Sequence, residues 1–195
     1  MNFPEITLVV ASYNEENYID KCLDSILKQN YQGKIHLIIS DGGSTDKTIE
    51  ISKTYSDKFE DFLILENTGR IQSIGRNIAI NYCKTDFIAY LDSHCVAHTD
   101  WLSTLYSKFT ELEKTDKNIA GIGTSYQNAS ETEFSSSYFA AVSSWICGSG
   151  PKHLLNRDKI EKINHAVMCL YYKPALIKAG LYDETIVIGE YIELN

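Results

Sequence analysis

The sequence predicts an open α/β domain, in which a mainly parallel sheet carries helices on both faces. In the first half of the chain, short apolar runs alternate with longer segments whose apolar residues recur at helical spacing. The runs are rich in β-branched and aromatic residues, which favours buried strands. Because parallel neighbours need a crossover connection, usually a helix, this alternation is typical of a parallel sheet covered on both sides.

The individual elements follow from the same patterns. Four apolar runs are interpreted as strands: Ile6 to Ala11, Ile35 to Ile39, Phe62 to Leu65 and Phe87 to Leu91. The spacing i, i+3, i+4, i+7, i+8 from Ile19 to Leu27 predicts a helix that ends before Gly33. A second helix is predicted to start at the cap-type residues Ser44 to Asp46, and an apolar stripe from Ile71 to Tyr82 predicts a third. No linker or repeat separates the second half of the chain, so we expect it to extend the same sheet.

Composition excludes several classes of protein. The 195 residues carry a formal net charge of -8, and no run of Lys or Arg could follow a phosphate backbone, so nucleic acid is not an expected partner. The five cysteines are widely spaced and form no C-x-x-C pair, which favours buried thiols in a reducing compartment. The N-terminal residues lack the features of a signal peptide. A cytoplasmic location is therefore the expectation.

Polar clusters follow three of the predicted strands. The sequence continues from the first strand into Ser12 to Glu15, from the second into Asp41 to Asp46, and from the fourth into Asp92 to His94. In an open α/β sheet, ligands bind outside the carboxyl ends of the strands, so we expect all three clusters at one edge. A single cluster of this kind is explained by turn and capping chemistry alone. Three such clusters after parallel strands favour a ligand site.

The residue types suit a phosphorylated ligand with a heterocyclic base. Tyr13 can stack on a base, the Asp41 carboxylate can accept a hydrogen bond from a base N–H, and Gly43 permits close backbone approach. Asp92 and His94 can hold a divalent ion, and this oxygen and nitrogen pair suits Mn²⁺ better than Mg²⁺. A solvated loop is the alternative interpretation of this D-x-H tripeptide.

Two arginines are candidates for a phosphate contact. Arg76 lies on a predicted helix and Arg70 precedes it by more than one turn, and either guanidinium could pair with a phosphate in bidentate fashion. A surface arginine is the alternative for Arg70. A dinucleotide-binding oxidoreductase and a P-loop NTPase do not fit, because the chain lacks G-x-G-x-x-G after the first strand and lacks G-x-x-x-x-G-K-[ST].

The chain resembles the family-2 glycosyltransferases, an inverting group with a GT-A fold. The motifs that carry the resemblance are Val9 to Glu15, Ser40 to Thr48, Gly75-Arg76-Asn77 and Tyr90 to His94. With His94 in place of a second aspartate, and with the later Gly180 to Glu184, the chain is similar to the subgroup that makes bacterial exopolysaccharides, such as the succinoglycan glucosyltransferases.

The resemblance implies transfer of one sugar from a nucleoside-diphosphate donor, often UDP-linked, to an acceptor hydroxyl with inversion. The implied donor contacts are Ser12, Tyr13, Glu15, Asp41, Gly43, Arg76 and Asp92, and the implied ligands of Mn²⁺ or Mg²⁺ are Asp92 and His94. We expect one domain over residues 1–195, C-terminally truncated, with a nucleotide-binding half (1–112) and an acceptor-side half (113–195). The acceptor is expected to be a saccharide or a lipid-linked saccharide. Peripheral association with the inner face of the cell membrane and pairing into a homodimer are left open.

The catalytic base does not match the family pattern. In the family, a carboxylate in an E-D or D-D pair shortly after the G-x-x-D-E segment removes the acceptor proton. Here Tyr191 stands where the aspartate is expected, and an unperturbed phenol with a pKa of about 10 is a poor base near neutral pH. Glu190 is the nearest substitute. The alternative is a non-catalytic module that binds a nucleotide sugar.

Overall fold

The computed structural model describes residues 3–124 and 167–186, which form one six-stranded sheet with five α-helices around it. The strands are β1 (Ile6–Ser12), β2 (Ile35–Asp41), β3 (Phe62–Glu66), β4 (Phe87–Asp92), β5 (Gly121–Thr124) and β6 (Val167–Tyr172). The helices are α1 (Ile19–Leu27), α2 (Thr48–Lys53), α3 (Gln72–Tyr82), α4 (Trp101–Glu113) and α5 (Lys173–Ala179). A short 3₁₀ turn, Ser56–Lys58, precedes β3.

The strand order is β3-β2-β1-β4-β6-β5, and its first four strands are parallel. Strand β6 runs antiparallel to both β4 and β5, so the later part of the chain extends the same sheet. The prediction of a mainly parallel open sheet is confirmed. All four predicted strands are present, and each extends one or two residues further towards its carboxyl end than the apolar run alone indicates.

Helices cover both faces of the sheet, as predicted. One apolar core lies between the sheet and helices α1 and α4, and the other lies between the sheet and helices α3 and α5. Alternate residues of β1 divide between them: Leu8 and Val10 belong to the first core, and Val9 belongs to the second. Both faces of the central strands are therefore buried, which is why these strands read as unbroken apolar runs.

Helix α3 is present where the sequence predicts it, but its buried face differs from the apolar stripe. Tyr82, at the end of that stripe, is 57% exposed. The buried face instead presents small and polar residues, among them Ser73, Arg76 and Ala79. Helix α2 also departs slightly from expectation, since it begins at Thr48, after the cap-type residues. Within residues 3–124 and 167–186, every helix is too short or too polar to span a lipid bilayer.

Candidate functional site

The carboxyl ends of the central strands form one open cleft. Register places Ser12 beside Asp41 and Ala11 beside Asp92, so the loops after β1, β2 and β4 leave the sheet side by side. The cleft has a volume of about 380 Å³. Its lining residues are Ala11, Ser12, Tyr13, Glu15, Ser40, Gly42, Asn67, Arg70, Gln72, Asp92, Ser93 and His94. The prediction that the three polar clusters share one edge is confirmed.

Side-chain hydrogen bonds join the β1–α1 loop to the β2–α2 loop. The backbone N–H of Asn14 donates to Ser44 Oγ (2.9 Å), and the N–H of Thr45 donates to Asn14 Oδ1 (2.9 Å). The N–H of Glu15 donates to Thr48 Oγ1 (2.7 Å). Asn14 has a φ of 55°, a conformation that asparagine tolerates better than most residues. These two segments, residues 13–16 and 42–48, are called the paired loops below.

The pairing continues at the start of α2. Asp46 Oδ2 accepts a hydrogen bond from the N–H of Glu16 (3.1 Å), and Asp46 Oδ1 accepts one from the N–H of Thr48 (2.9 Å). Glu16 Oε2 in turn accepts a hydrogen bond from the N–H of Lys47 (3.0 Å). Burial acts to raise the pKa of Asp46, but the hydrogen bonds from Thr48 and Glu16 outweigh it and leave the pKa lowered.

Asp41 is buried beneath the paired loops, and protein groups already use its carboxylate. Oδ1 accepts hydrogen bonds from Ser12 Oγ (3.0 Å) and Ser44 Oγ (2.6 Å). Oδ2 accepts from the backbone N–H groups of Gly43 (2.9 Å) and Ser44 (2.7 Å). A carboxylate has about four acceptor positions, so all of them are occupied. A ligand N–H can reach Asp41 only by displacing one of these donors.

Tyr13 and Arg70 form the outer wall of the cleft. The Tyr13 side chain is 49% exposed, and the Arg70 guanidinium lies 5.5 Å from the centroid of its ring. Gly43 approaches the same guanidinium with a φ of 82°, a backbone conformation that favours glycine. An exposed aromatic ring beside a cation presents a flat apolar surface next to a positive charge.

Arg76 does not line this cleft, contrary to the expectation from sequence. Its side chain is 1% exposed and lies on the buried face of α3. The guanidinium packs 5.0 Å from the ring centroid of Tyr90 and 5.4 Å from that of Tyr182. The physical reason is helical phase, because Arg76 shares its face with Ala79 and Ile80. Of the two candidate arginines, the structure brings Arg70 to the cleft.

The loop after β4 turns tightly and gathers three ligand-type side chains. The N–H of Cys95 donates to the carbonyl oxygen of Asp92 (2.9 Å), which closes a four-residue turn. Each of Asp92, His94 and Cys95 offers one ligand atom, and these three atoms lie within 4.8 Å of one another. Oxygen, nitrogen and sulfur donors at this spacing fit a divalent transition-metal ion. Sequence reasoning identified Asp92 and His94 but missed Cys95, which the i to i+3 geometry of a turn could have indicated.

Neighbouring polar groups orient this cluster. Glu15 Oε1 lies 3.1 Å from His94 Nδ1, and Gln72 Nε2 donates to Asp92 Oδ1 across 3.4 Å. Burial, with smaller contributions from the Asp92 and Glu15 carboxylates, raises the pKa of the Cys95 thiol to about 11. The thiol of Cys95 is therefore protonated near neutral pH when no cation is close to it.

The floor of the cleft carries two buried polar atoms that sequence reasoning did not single out. Ser40 Oγ and Asn67 Oδ1 have no hydrogen-bond partner among the described residues, although both side chains are at least 95% buried. Gly75 lies directly beneath, where a Cβ would be 2.7 Å from both Ser40 Oγ and Asn67 Nδ2. Their position at the carboxyl ends of β2 and β3 is the signal that could have identified them.

The predicted catalytic residue Glu190 and the neighbouring Tyr191 lie outside the described residues. The same holds for much of the acceptor-side half, residues 125–166.

Residues 7–180 match the model of glycosyl transferase family 2, and the chain belongs to that family. It is 31% identical to the glycosyltransferase GlyG of Streptococcus pneumoniae, over 92% of this chain and 58% of GlyG. It is 28% identical to the dolichyl N-acetyl-α-D-glucosaminyl phosphate 3-β-D-2,3-diacetamido-2,3-dideoxy-β-D-glucuronosyltransferase of Methanococcus voltae, over the whole chain and 61% of that protein.

Solved structures show the same GT-A fold. The TarS protein of S. aureus in complex with UDP superimposes with a TM-score of 0.69 at 18% identity, over 96% of this chain and 53% of that one. The mannosyltransferase PcManGT of Pyrobaculum calidifontis in complex with GDP-Man and Mn²⁺ gives a TM-score of 0.70 at 16% identity, over 99% and 51%. The chain thus spans about half the length of these structures and 61% or less of the relatives above.

Proposed function

We propose that this chain is the donor-binding part of an inverting glycosyltransferase, which transfers one sugar from a nucleoside diphosphate, UDP in the first instance, to an acceptor hydroxyl. The observation that carries the proposal is the single cleft in which Tyr13, the Asp92–Cys95 turn and the buried polar floor meet. The family membership and the nucleotide-bound structures of similar fold support it.

The nucleoside would occupy the side of the cleft formed by the paired loops. Tyr13 offers its ring for stacking, and Ser12 and Glu15 line the same wall. Asp41 would act mainly by holding Gly43 and Ser44 in place. Direct contact between Asp41 and a base N–H would require Ser44 to change its χ1 rotamer and withdraw its Oγ from Asp41 Oδ1.

The diphosphate would lie towards the β4 turn. Asp92 and His94 fit a divalent ion, Mn²⁺ or Mg²⁺, which when bound neutralises the negative charge of the phosphates. Arg70 is the cleft arginine and would supply a further positive charge to the donor.

Donor binding is tested by calorimetry with UDP, GDP and a panel of UDP-sugars in the presence of Mn²⁺. We expect UDP and at least one UDP-sugar to bind, and Asp92→Ala to weaken binding by at least about tenfold through loss of an ion ligand. Lys108→Ala, an exposed change on α4, is the matched control and should leave binding unchanged. Absence of nucleotide binding across the whole panel would contradict the proposal.

Transfer of the sugar needs a catalytic base in addition to donor binding, and Tyr191 stands where the family has the aspartate that serves as this base. We propose Glu190 as the general base, acting on a saccharide or lipid-linked saccharide acceptor at the cytoplasmic face of a membrane, as in exopolysaccharide synthesis. The second candidate function is a module that binds the donor without transfer. Sugar release from UDP-sugars in the presence of acceptor saccharides separates them. Turnover that is lost in Glu190→Gln supports catalysis, and donor binding without turnover supports the module.

A further inference from the structure

We propose that Cys95 is a third protein ligand of the ion site, and that the site therefore prefers thiophilic ions such as Zn²⁺ and Co²⁺ over Mg²⁺. The assignment of this ion to donor binding rests on the function proposed above. Ion binding itself depends only on the described residues and can be measured without any nucleotide.

The backbone brings the three side chains together. The turn closed by the hydrogen bond from the N–H of Cys95 to the carbonyl oxygen of Asp92 places residues i and i+3 near each other. The ligand atoms of Asp92, His94 and Cys95 fall within 4.8 Å of one another, and side-chain rotation would bring them to the spacing of about 3.4 Å that ligands of one tetrahedral ion have. Ser93 is buried and the turn follows directly from β4, so the sheet fixes the backbone that carries the three side chains.

The carboxylate of Glu15 favours the tautomer of His94 that can bind an ion. Glu15 Oε1 lies 3.1 Å from His94 Nδ1, and because a carboxylate only accepts, this contact favours a proton on Nδ1. The lone pair then resides on Nε2, where an ion can bind it. A carboxylate that orients a ligating imidazole through its other nitrogen is a recurrent feature of metal sites. Glu15 is thus a positioning residue for the ion.

The donor set determines the ion. Mg²⁺ demands oxygen ligands in near-octahedral geometry, whereas sulfur and imidazole ligands suit Zn²⁺ and Co²⁺. Binding breaks the S–H bond of Cys95, forms a sulfur–metal bond and releases the proton to solvent. Asp92 and a Cys95 thiolate together balance the charge of one divalent ion.

Cobalt is the probe of choice, because a Co²⁺–thiolate bond gives a charge-transfer band in the near ultraviolet and tetrahedral Co²⁺ gives intense visible bands. The full chain, metal-free and reduced, is titrated with Co²⁺ and then with Zn²⁺ as competitor. We expect the charge-transfer band in the natural chain and its loss in Cys95→Ser. Loss of an outer-shell partner weakens metal binding by 10–100-fold, so loss of a direct ligand should weaken Co²⁺ binding by about 100-fold. Mg²⁺ should displace Co²⁺ poorly.

Two variants make the test specific. Cys22, on α1, donates its thiol to the carbonyl oxygen of Asp92 across 3.6 Å and lies outside the cluster, so Cys22→Ser should keep the band. Glu15→Gln should keep the band but weaken Co²⁺ binding by about tenfold. Circular dichroism checks that each variant is folded.

A Co²⁺ complex without the charge-transfer band, or a band that survives in Cys95→Ser, would overturn the proposal. So would Co²⁺ affinity that is equal in the natural chain and in Cys95→Ser. The proposed donor function fails by a different result, namely the absence of UDP binding, so the two failures are distinguishable.

Discussion

The paired loops and the Asp92–Cys95 turn lie on the same edge of the sheet and carry the same kinds of polar side chain, but they use them differently. In the paired loops, carboxylate, amide and hydroxyl oxygens accept hydrogen bonds from backbone N–H groups of the neighbouring loop. At the turn, the carboxylate, imidazole and thiol face one another with few protein donors. Polar residues that follow a strand can therefore have either of two roles. They can fix the shape of the loops around a site, or they can be the groups that bind its ligand.

The largest expected effect is a difference in stability between alanine variants of two aspartates, Asp41 and Asp92, that lie at equivalent strand ends. Asp41→Ala leaves two backbone N–H groups and two hydroxyls without their acceptor, and should lower the free energy of unfolding by about 3 kcal/mol. Within residues 3–124 and 167–186, Asp92→Ala removes one long hydrogen bond, from Gln72, and should cost less than about 1 kcal/mol. Urea unfolding of both variants measures the difference. Equal losses would remove the distinction between the two regions.

Gly75→Ala tests how closely the floor of the cleft is packed. An exposed Gly→Ala change in a helix interior stabilises by about 1 kcal/mol, but here the Cβ would meet Ser40 and Asn67 at 2.7 Å. We expect a loss of about 2 kcal/mol in thermal unfolding, from overpacking. Adding Asn67→Ala should recover part of that loss. A Gly75→Ala protein more stable than the natural chain would show that Ser40 and Asn67 can move to accommodate the added methyl group.

Tyr13→Ala examines the exposed wall of the paired loops. Stacking of a base on an aromatic ring contributes about 1–3 kcal/mol, so UDP affinity should fall roughly tenfold while stability is unchanged. Tyr18→Ala removes a tyrosine of similar exposure that does not line the cleft, and it should bind UDP normally. Calorimetry that shows the same affinity for both variants would argue against stacking on Tyr13.

The smallest effect concerns the pH dependence of the paired loops. The pKa of Asp46 is lowered in the folded chain, so its contribution to stability is present above its ordinary pKa and is lost as pH falls through the lowered value. Asp46→Asn removes that titration. Unfolding measured from neutral to acid pH should therefore show a shallower loss of stability in Asp46→Asn below about pH 4. An unchanged slope would mean that Asp46 does not contribute.

Periodicity was sufficient for the fold because the central strands are buried on both faces and the segments between them show helical spacing of apolar residues. It was also sufficient to place Tyr13 and Asp92 at one edge, since parallel strands share their direction. It could not place Arg76, because the buried face of α3 is small and polar and an apolar stripe does not mark it. Its helical phase places Arg76 on the buried face of α3, where its guanidinium packs against the rings of Tyr90 and Tyr182.

The hydrogen-bond roles of the motif residues were equally hidden. Sequence spacing shows that Asp41 follows β2, but only coordinates show that four protein donors surround its carboxylate. Cys95 was missed because an apolar neighbour follows it and no second cysteine is near in sequence. Ser40 was overlooked because it lies inside a strand whose pattern is apolar.

The contact between Arg70 and Tyr13 has a consequence for the order of events in the cleft. The guanidinium covers a face of the ring, so a base that stacks on that face must first push the arginine aside. Arg70 is exposed and lines the cleft, so its guanidinium enters solvent inside the cleft when it leaves the ring. In the function proposed above, stacking of the donor base on Tyr13 would therefore release the Arg70 guanidinium to pair with the phosphates of the same donor.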